Sequence, residues 1–220
     1  LCLSICWGLI LGALAAKLTQ NSFRSYATGD EINYIGVMPA FTNFASAGDF
    51  GNTSSTSKVM NRLKSRPTMI LLGDYAYDKG TLGMIETWWN KYMASYTGQR
   101  FAAYGNEDDK SSAAGEKYST YFGIPNWNYS FDSGNAHYLF VNSQAPASAA
   151  SVDADLAAAK TRGIKWLIVI VHIPMVTPPS KHPAQDPTGL KTVFAKYPVD
   201  LVLQAHNHCY ARSVRLKGTY

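Results

Sequence analysis

Five short apolar runs of the chain are each followed by side chains able to hold a metal ion. Gly48-Asp49-Phe50-Gly51 follows residues 44–47, and Gly73-Asp74-Tyr75-Ala76-Tyr77 follows residues 68–72. Gly105-Asn106-Glu107-Asp108-Asp109 follows residues 101–104. His172 follows residues 166–171, and Gln204-Ala205-His206-Asn207-His208 follows residues 199–203. Two Asp, one Asn, one Tyr and three His give a mixed oxygen and nitrogen donor set without a thiolate. Such a set argues against structural zinc and for a catalytic site for zinc, iron or manganese. Seven donors are too many for one tetrahedral ion. Two ions sharing one carboxylate would use them all, and ions about 3.5–4 Å apart form the clamp of phosphoryl-ester hydrolysis. His206 and His208 stand two residues apart, which puts them on the same side of an extended segment. Taken singly, an Asp after Gly reads as a turn residue, a strand-end His as a structural hydrogen-bonding group, and Tyr77 as packing. The inference rests on five such segments in order.

Donors this far apart in sequence converge when strands deliver them at their carboxyl ends, where ligands bind in open α/β sheets. The runs at 44–47, 68–72, 101–104, 137–141, 166–171 and 199–203 have the length and apolar character of buried strands. Between them the pattern predicts helices. One covers 53–65, where a Thr/Ser cluster suits an N-cap. A second covers 81–96, with Leu82, Ile85, Trp88, Trp89 and Tyr92 on roughly one face. A third covers 151–162, with acids early, Lys and Arg late and Gly163 just beyond. A fourth covers 186–197, after a proline-rich loop. Residues 128–132 and 137–142 flank Ser133-Gly134-Asn135-Ala136 and read as an antiparallel hairpin, so the sheet is expected to be mixed. The alternation gives a layered α/β fold. Residues 17–40 read as a linker or first edge, and 41–220 as one domain without repeats.

With 220 residues, 46% hydrophobic and 16% charged, the chain can bury an ordinary core and is not a disordered or acidic tail. The net charge of +5 suits an anionic ligand, but the basic residues are scattered singly, so nucleic acid is not specifically indicated. Cys2, Cys6 and Cys209 make neither a disulfide framework nor a CxxC zinc pair. Residues 1–16 (LCLSICWGLILGALAA) carry no charge and end in small residues. They fall short of the about 20 residues a bilayer span needs, and read as a secretory leader. The expected location is therefore secreted or cell-surface/periplasmic. A retained membrane anchor or assembly contact is the other reading of that segment. Asn52-Thr53-Ser54 and Asn128-Tyr129-Ser130 match the N-glycosylation triplet.

GDFG, GDYAY, GNED, VH and AHNH, in that order, resemble the calcineurin-like metallophosphoesterases, and within them the purple acid phosphatase branch. Tyr77 is particular to that branch. Residues 129–143, 155–172 and 199–213 extend the likeness, which covers about 44–213. The resemblance implies two mixed β-sheets packed face to face with helices outside. It implies that Asp49, Tyr77 and His208 hold Fe(III), that Asn106, His172 and His206 hold a divalent Fe, Zn or Mn, and that Asp74 bridges them. A metal-bound hydroxide would then hydrolyse phosphomonoesters. His182, ten residues past His172, would contact phosphate or assist the leaving group.

Three departures qualify that implication. Glu107 stands where the family usually has a histidine that holds the phosphate and protonates the leaving group; a glutamate there repels a phosphate dianion unless protonated. Ala205 replaces the usual glycine before the last histidines. Twelve residues follow His208, where the family continues through more strands, so the chain is expected to be either a fragment or a C-terminally short version of the fold with an open sheet edge. The alternative to an enzyme is a catalytically weakened or inactive surface or assembly protein. It would self-associate through the N-terminal segment or the C-terminal sheet edge.

Overall fold

The computed structural model describes residues 31–77, 81–108, 118–124, 126–178 and 182–214. The segment 1–16, and with it the leader, anchor and N-terminal contact readings, lies outside the described residues. Among the described residues, β1 (Asn33–Met38), β2 (Phe44–Ala47), β3 (Thr68–Leu71), β4 (Gln99–Ala102), β5 (Tyr129–Ser133), β6 (Ala136–Val141), β7 (Trp166–Val171) and β8 (Leu201–Leu203) form two sheets. The larger has the order β1-β5-β6-β7-β8, and the smaller β2-β3-β4. The predicted hairpin is the antiparallel β5–β6 pair, turning through Gly134 at φ 58°. Every other pairing is parallel, so the smaller sheet is wholly parallel and the larger one mixed.

Alternation along the central strands separates two cores. Phe131, Tyr138, Phe140, Ile168 and Ile170 of the larger sheet face the smaller sheet, where they join Ile70 and Phe101. Phe101 and Phe131 stack with centroids 4.2 Å apart, and the buried Tyr129 hydroxyl donates to the Ala102 carbonyl at 3.0 Å. Leu139, Val141, Leu167, Val169 and Val171 face the other way. They pack on Val152, Leu156 and Ala159 of the helix Ala149–Thr161 and on Val193 and Phe194 of the helix Leu190–Lys196. The outer side of the smaller sheet is covered by Met60 and Leu63 of the helix Ser54–Lys64 and by Ile85 and Trp88 of the helix Leu82–Tyr92. The layers are helix, sheet, sheet, helix. We number these helices in chain order: α1 (Ser54–Lys64), α2 (Leu82–Tyr92), α3 (Ala149–Thr161) and α4 (Leu190–Lys196).

Local chemistry sets the helix ends. Thr53 and Thr56 close a capping box on α1, each hydroxyl accepting the other residue's backbone N–H at 3.2 Å. α3 begins two residues before the predicted 151 because Ser148, not a later acid, is the N-cap, its hydroxyl accepting the N–H of Ser151, the third helical residue. It stops before Gly163, which takes φ 81°. α2 ends at Tyr92 rather than residue 96. Asn128 of the second glycosylation triplet is buried with its amide spent inside the fold, accepting from Asn142 and Ala147 and donating to Ala145.

A charged network pins the hairpin to α3. The fully buried His137 has Nδ1 2.7 Å from Asp132 and Nε2 2.7 Å from Asp155. Arg162 donates to both Asp132 oxygens at 2.7 and 3.1 Å, and Tyr34 of β1 donates to the same carboxylate at 3.0 Å. Burial alone would raise the Asp132 carboxyl. The bonds from Arg162, His137 and Tyr34 outweigh it and hold the group below its ordinary value. A depressed carboxylate pKa stabilises the fold above the unfolded value, about 3.9, and that contribution is lost as pH falls through the folded value. Asp132→Asn is therefore expected to cost about 2–3 kcal/mol at neutral pH. The gap from wild type should narrow below about pH 4. Urea midpoints across this range check it; a gap independent of pH would contradict the ionised network.

Candidate metal centre

β2, β3 and β4 run parallel, as do β6, β7 and β8, so the predicted donor segments leave their strands where the two sheets meet. Hydrogen bonds lace the segments together. Asp49 N–H donates to Gly73 O at 3.0 Å, Phe50 N–H to Asp74 O at 2.8 Å, and Ala205 N–H to His172 O at 3.0 Å. Across the sheets, His172 Nδ1 lies 2.7 Å from the Leu72 carbonyl, and His206 N–H donates to Asp49 Oδ2 at 2.8 Å.

The aromatic residues after the two Gly-Asp pairs are the anchors. Phe50 and Tyr75 are buried against Trp88 at centroid distances of 5.6 and 5.4 Å, and the Tyr75 hydroxyl donates to Ala103 O. Trp88 Nε1–H donates to Gly51 O at 3.1 Å, tying α2 to the Asp49 segment. With these neighbours turned into the core, Asp49 and Asp74 take left-handed backbone at φ 56° and 55°. Tyr77, His206 and His208 do the same at φ 56°, 73° and 49°. Among the described residues only one other non-glycine side chain, Thr188, has positive φ. Strain of about 1–3 kcal/mol per residue is thus concentrated on five of the seven predicted donors.

The structure brings every predicted site residue to this place. The Tyr77 hydroxyl lies 3.1 Å from Asp49 Oδ1 and 2.8 Å from His208 Nε2, making one trio. Asp74, His172 and His206 each offer a donor atom within 4.8 Å of the others. Asn106 Oδ1 joins them, 3.1 Å from His172 Nε2, which is also 3.4 Å from Asp74 Oδ2. Glu107 N–H donates to Asp74 Oδ1 at 2.9 Å, and Glu107 Oε1 accepts from Asn106 Nδ2 at 2.9 Å. The His182 ring sits 4.5 Å from that of His206 and 6.4 Å from that of His208. The Ala205 methyl faces Gly48, where an added Cβ would come within 2.8 Å of it. The alanine thus fits because its neighbour has no side chain. Gly105 is equally constrained: a Cβ there would lie 2.1 Å from Asp74 Oδ1.

Sequence reasoning passed over Asp108. It is buried, and its carboxylate accepts three backbone N–H groups, from Asp74 and Gly105 on Oδ2 and from Tyr75 on Oδ1, each at 2.9 Å. It therefore holds the turns carrying Asp74 and Asn106 against each other. Its only sequence signal is an acid two residues past Asn106, which reads as a solvated turn until its burial is seen. Asp109 lies outside the described residues.

The electrostatics fit a cation. Burial raises the Asp49 carboxyl, with the Asp74 charge adding to it against the pull of His172. Burial and then the charges of Asp49 and Asp74 push the Tyr77 phenol well above its ordinary value. Burial raises Asp108 to about 7, again with Asp74 adding and its N–H partners opposing. Burial would raise Asp74 too, but its hydrogen bond and charge contact with His172 outweigh this and lower it. His206 is lowered by burial and by the neighbouring His172 and His182. Carboxylates, a phenol and imidazoles are thus crowded with their lone pairs converging, an arrangement that a multivalent cation relieves.

The family model for calcineurin-like phosphoesterases matches residues 28–210. The chain is 23% identical over 220 residues to purple acid phosphatase 21 of Arabidopsis thaliana, covering 88% of this chain and 50% of that protein. It is 24% identical over 218 residues to purple acid phosphatase 23 of the same plant, covering 78% and 48%. It thus spans about half the length of these relatives. The purple acid phosphatase PPD1 from yellow lupin (Lupinus luteus) seeds has the same fold, with a TM-score of 0.58 at 15% identity, over 73% of this chain and 37% of that one. Two packed sheets, parallel strands ending at one donor cluster and a match across most of the sequence lead to one conclusion: the chain belongs to the calcineurin-like phosphoesterase family, with its likeness to the purple acid phosphatase branch.

Proposed function

We propose that the chain is a metal-dependent hydrolase of phosphate esters, phosphomonoesters among them. The observation that carries this reading is the convergence of seven oxygen and nitrogen donors from five segments, five of the donors on left-handed backbone. Asp49, Tyr77 and His208 would hold one ion and Asn106, His172 and His206 another, with Asp74 shared. When bound, such a pair neutralises phosphate oxygens and supplies a nucleophile from water at neutral pH. The chain's own contribution is orientation. The Leu72 carbonyl can only accept, so Nδ1 of His172 keeps its proton and Nε2 is the nitrogen that faces the site, where a bound ion would take its lone pair in place of the proton shared with Asp74. The bond from His206 N–H fixes the Asp49 carboxylate. His182, beside His206, is positioned to meet a phosphate oxygen or the leaving group. The Tyr77 phenol, set between a carboxylate and an imidazole, favours iron at the first position.

Protein purified without chelator or metal-affinity resin is expected to carry about two metal ions per chain and to hydrolyse p-nitrophenyl phosphate. A visible charge-transfer band would accompany iron on Tyr77. Elemental analysis and an absorption spectrum test this. Near-zero metal that does not rise on reconstitution, with no turnover, would overturn the reading and favour the non-catalytic assembly alternative.

A further inference from the structure

Glu107 is the site residue whose charge opposes the proposed substrate, yet it is built firmly into the donor cluster. Its backbone N–H is bonded to Asp74 and its carboxylate to the Asn106 amide, both at 2.9 Å. A carboxylate accepts only, so the NH2 end of Asn106 must face Glu107 and the carbonyl end His172. The side chain therefore orients a proposed donor and also stations a negative charge beside it. Asp49 and Asp74 are proposed metal donors, so a bound cation would neutralise their charge.

A phosphomonoester carries two negative charges above about pH 6, whereas a phosphodiester carries one. Repulsion by a fixed charge scales with the ligand's charge, and for any two charges about 6 Å apart near a protein surface the extra charge changes affinity by about tenfold or more. We propose that Glu107 is a specificity-determining charge filter that biases the site toward singly charged phosphates, phosphodiesters, over dianionic monoesters. The proposal rests on the phosphatase reading and narrows its substrate class.

The test is calorimetric titration of the metal-loaded protein with phenyl phosphate and with methyl phenyl phosphate at about pH 8, where the first is a dianion and the second a monoanion. Glu107→Gln keeps an oxygen for the Asn106 amide and removes only the charge. It is expected to tighten phenyl phosphate relative to methyl phenyl phosphate by about tenfold, with metal content unchanged. Glu107→Asp keeps the charge and should keep a ratio near wild type. The same ratio in wild type and Glu107→Gln would overturn the proposal. So would loss of metal in Glu107→Gln, which would make Glu107 a positioning residue for Asn106 instead. A wild-type protein that takes up metal and binds both esters with no preference that Glu107→Gln alters defeats the filter alone. A wild-type protein that takes up no metal and binds neither ester defeats the phosphatase reading, and the filter with it.

Discussion

Asp74→Asn is expected to lower p-nitrophenyl phosphate turnover by about 1,000-fold or more and to reduce metal content well below wild type, while thermal stability changes little. The asymmetry follows from geometry. Asp74 Oδ1 accepts the Glu107 N–H at 2.9 Å, and Oδ2 lies 3.4 Å from His172 Nε2. The amide keeps one oxygen of the same shape, which can still accept from Glu107, so the fold loses little. It gives up the charge that sits near His172, His206 and Asn106 and that would balance the cations of the proposed centre. Asp74→Ala should lose the same activity and also destabilise the fold by about 1–3 kcal/mol, since the Glu107 N–H would lose its acceptor. Elemental analysis, turnover and a melting curve on the two variants separate charge from shape. Asp74→Asn with wild-type metal content and turnover would remove Asp74 from the centre.

Asp108→Ala should produce the largest loss of stability, about 3–5 kcal/mol by urea unfolding. Three backbone N–H groups converge on this one buried carboxylate, and truncation leaves all three without their acceptor. Asp108→Asn can keep one oxygen on the pair from Asp74 and Gly105, and should cost about half as much. Metal content is expected to fall in both, because the turns carrying Asp74 and Asn106 would no longer be held together. A change under about 1 kcal/mol in Asp108→Ala would show that the turns are held by other contacts.

The strands at 44–47 and 166–171 were legible to the residue, because short apolar runs bounded by turn residues mark strands whether buried, as 167–171 are, or half-buried, as 44–47 are. β1 was not. Its sequence NYIGVM is half polar, it carries Gly36 at φ 98°, and it is a strand because it pairs in parallel with β5, nearly 100 residues later. The starts of α1 and α3 shifted by a residue or two for a similar reason: several Ser or Thr could cap, and which one does depends on where the preceding loop leaves the backbone. α4 starts at Leu190 rather than 186, because Pro187–Gly189 form a separate short 3-10 turn ahead of it.

Residue type and order determined the donor set by themselves. Asp, Asn, Tyr and His after apolar runs are a chemical statement that needs no coordinates, as is the replacement of a histidine by Glu107. The family resemblance, not residue type, implied how those donors would divide; the tertiary structure sets Tyr77 between Asp49 and His208 on one side and His172 near Asp74, His206 and Asn106 on the other. Only it turned Asp108 from a turn acid into a buried brace, and matched Ala205 to Gly48. These are contacts between residues roughly 30 to 160 positions apart. A one-dimensional pattern carries the periodicity of each element and the chemistry of each side chain, but the closure of distant loops is set by how whole layers pack.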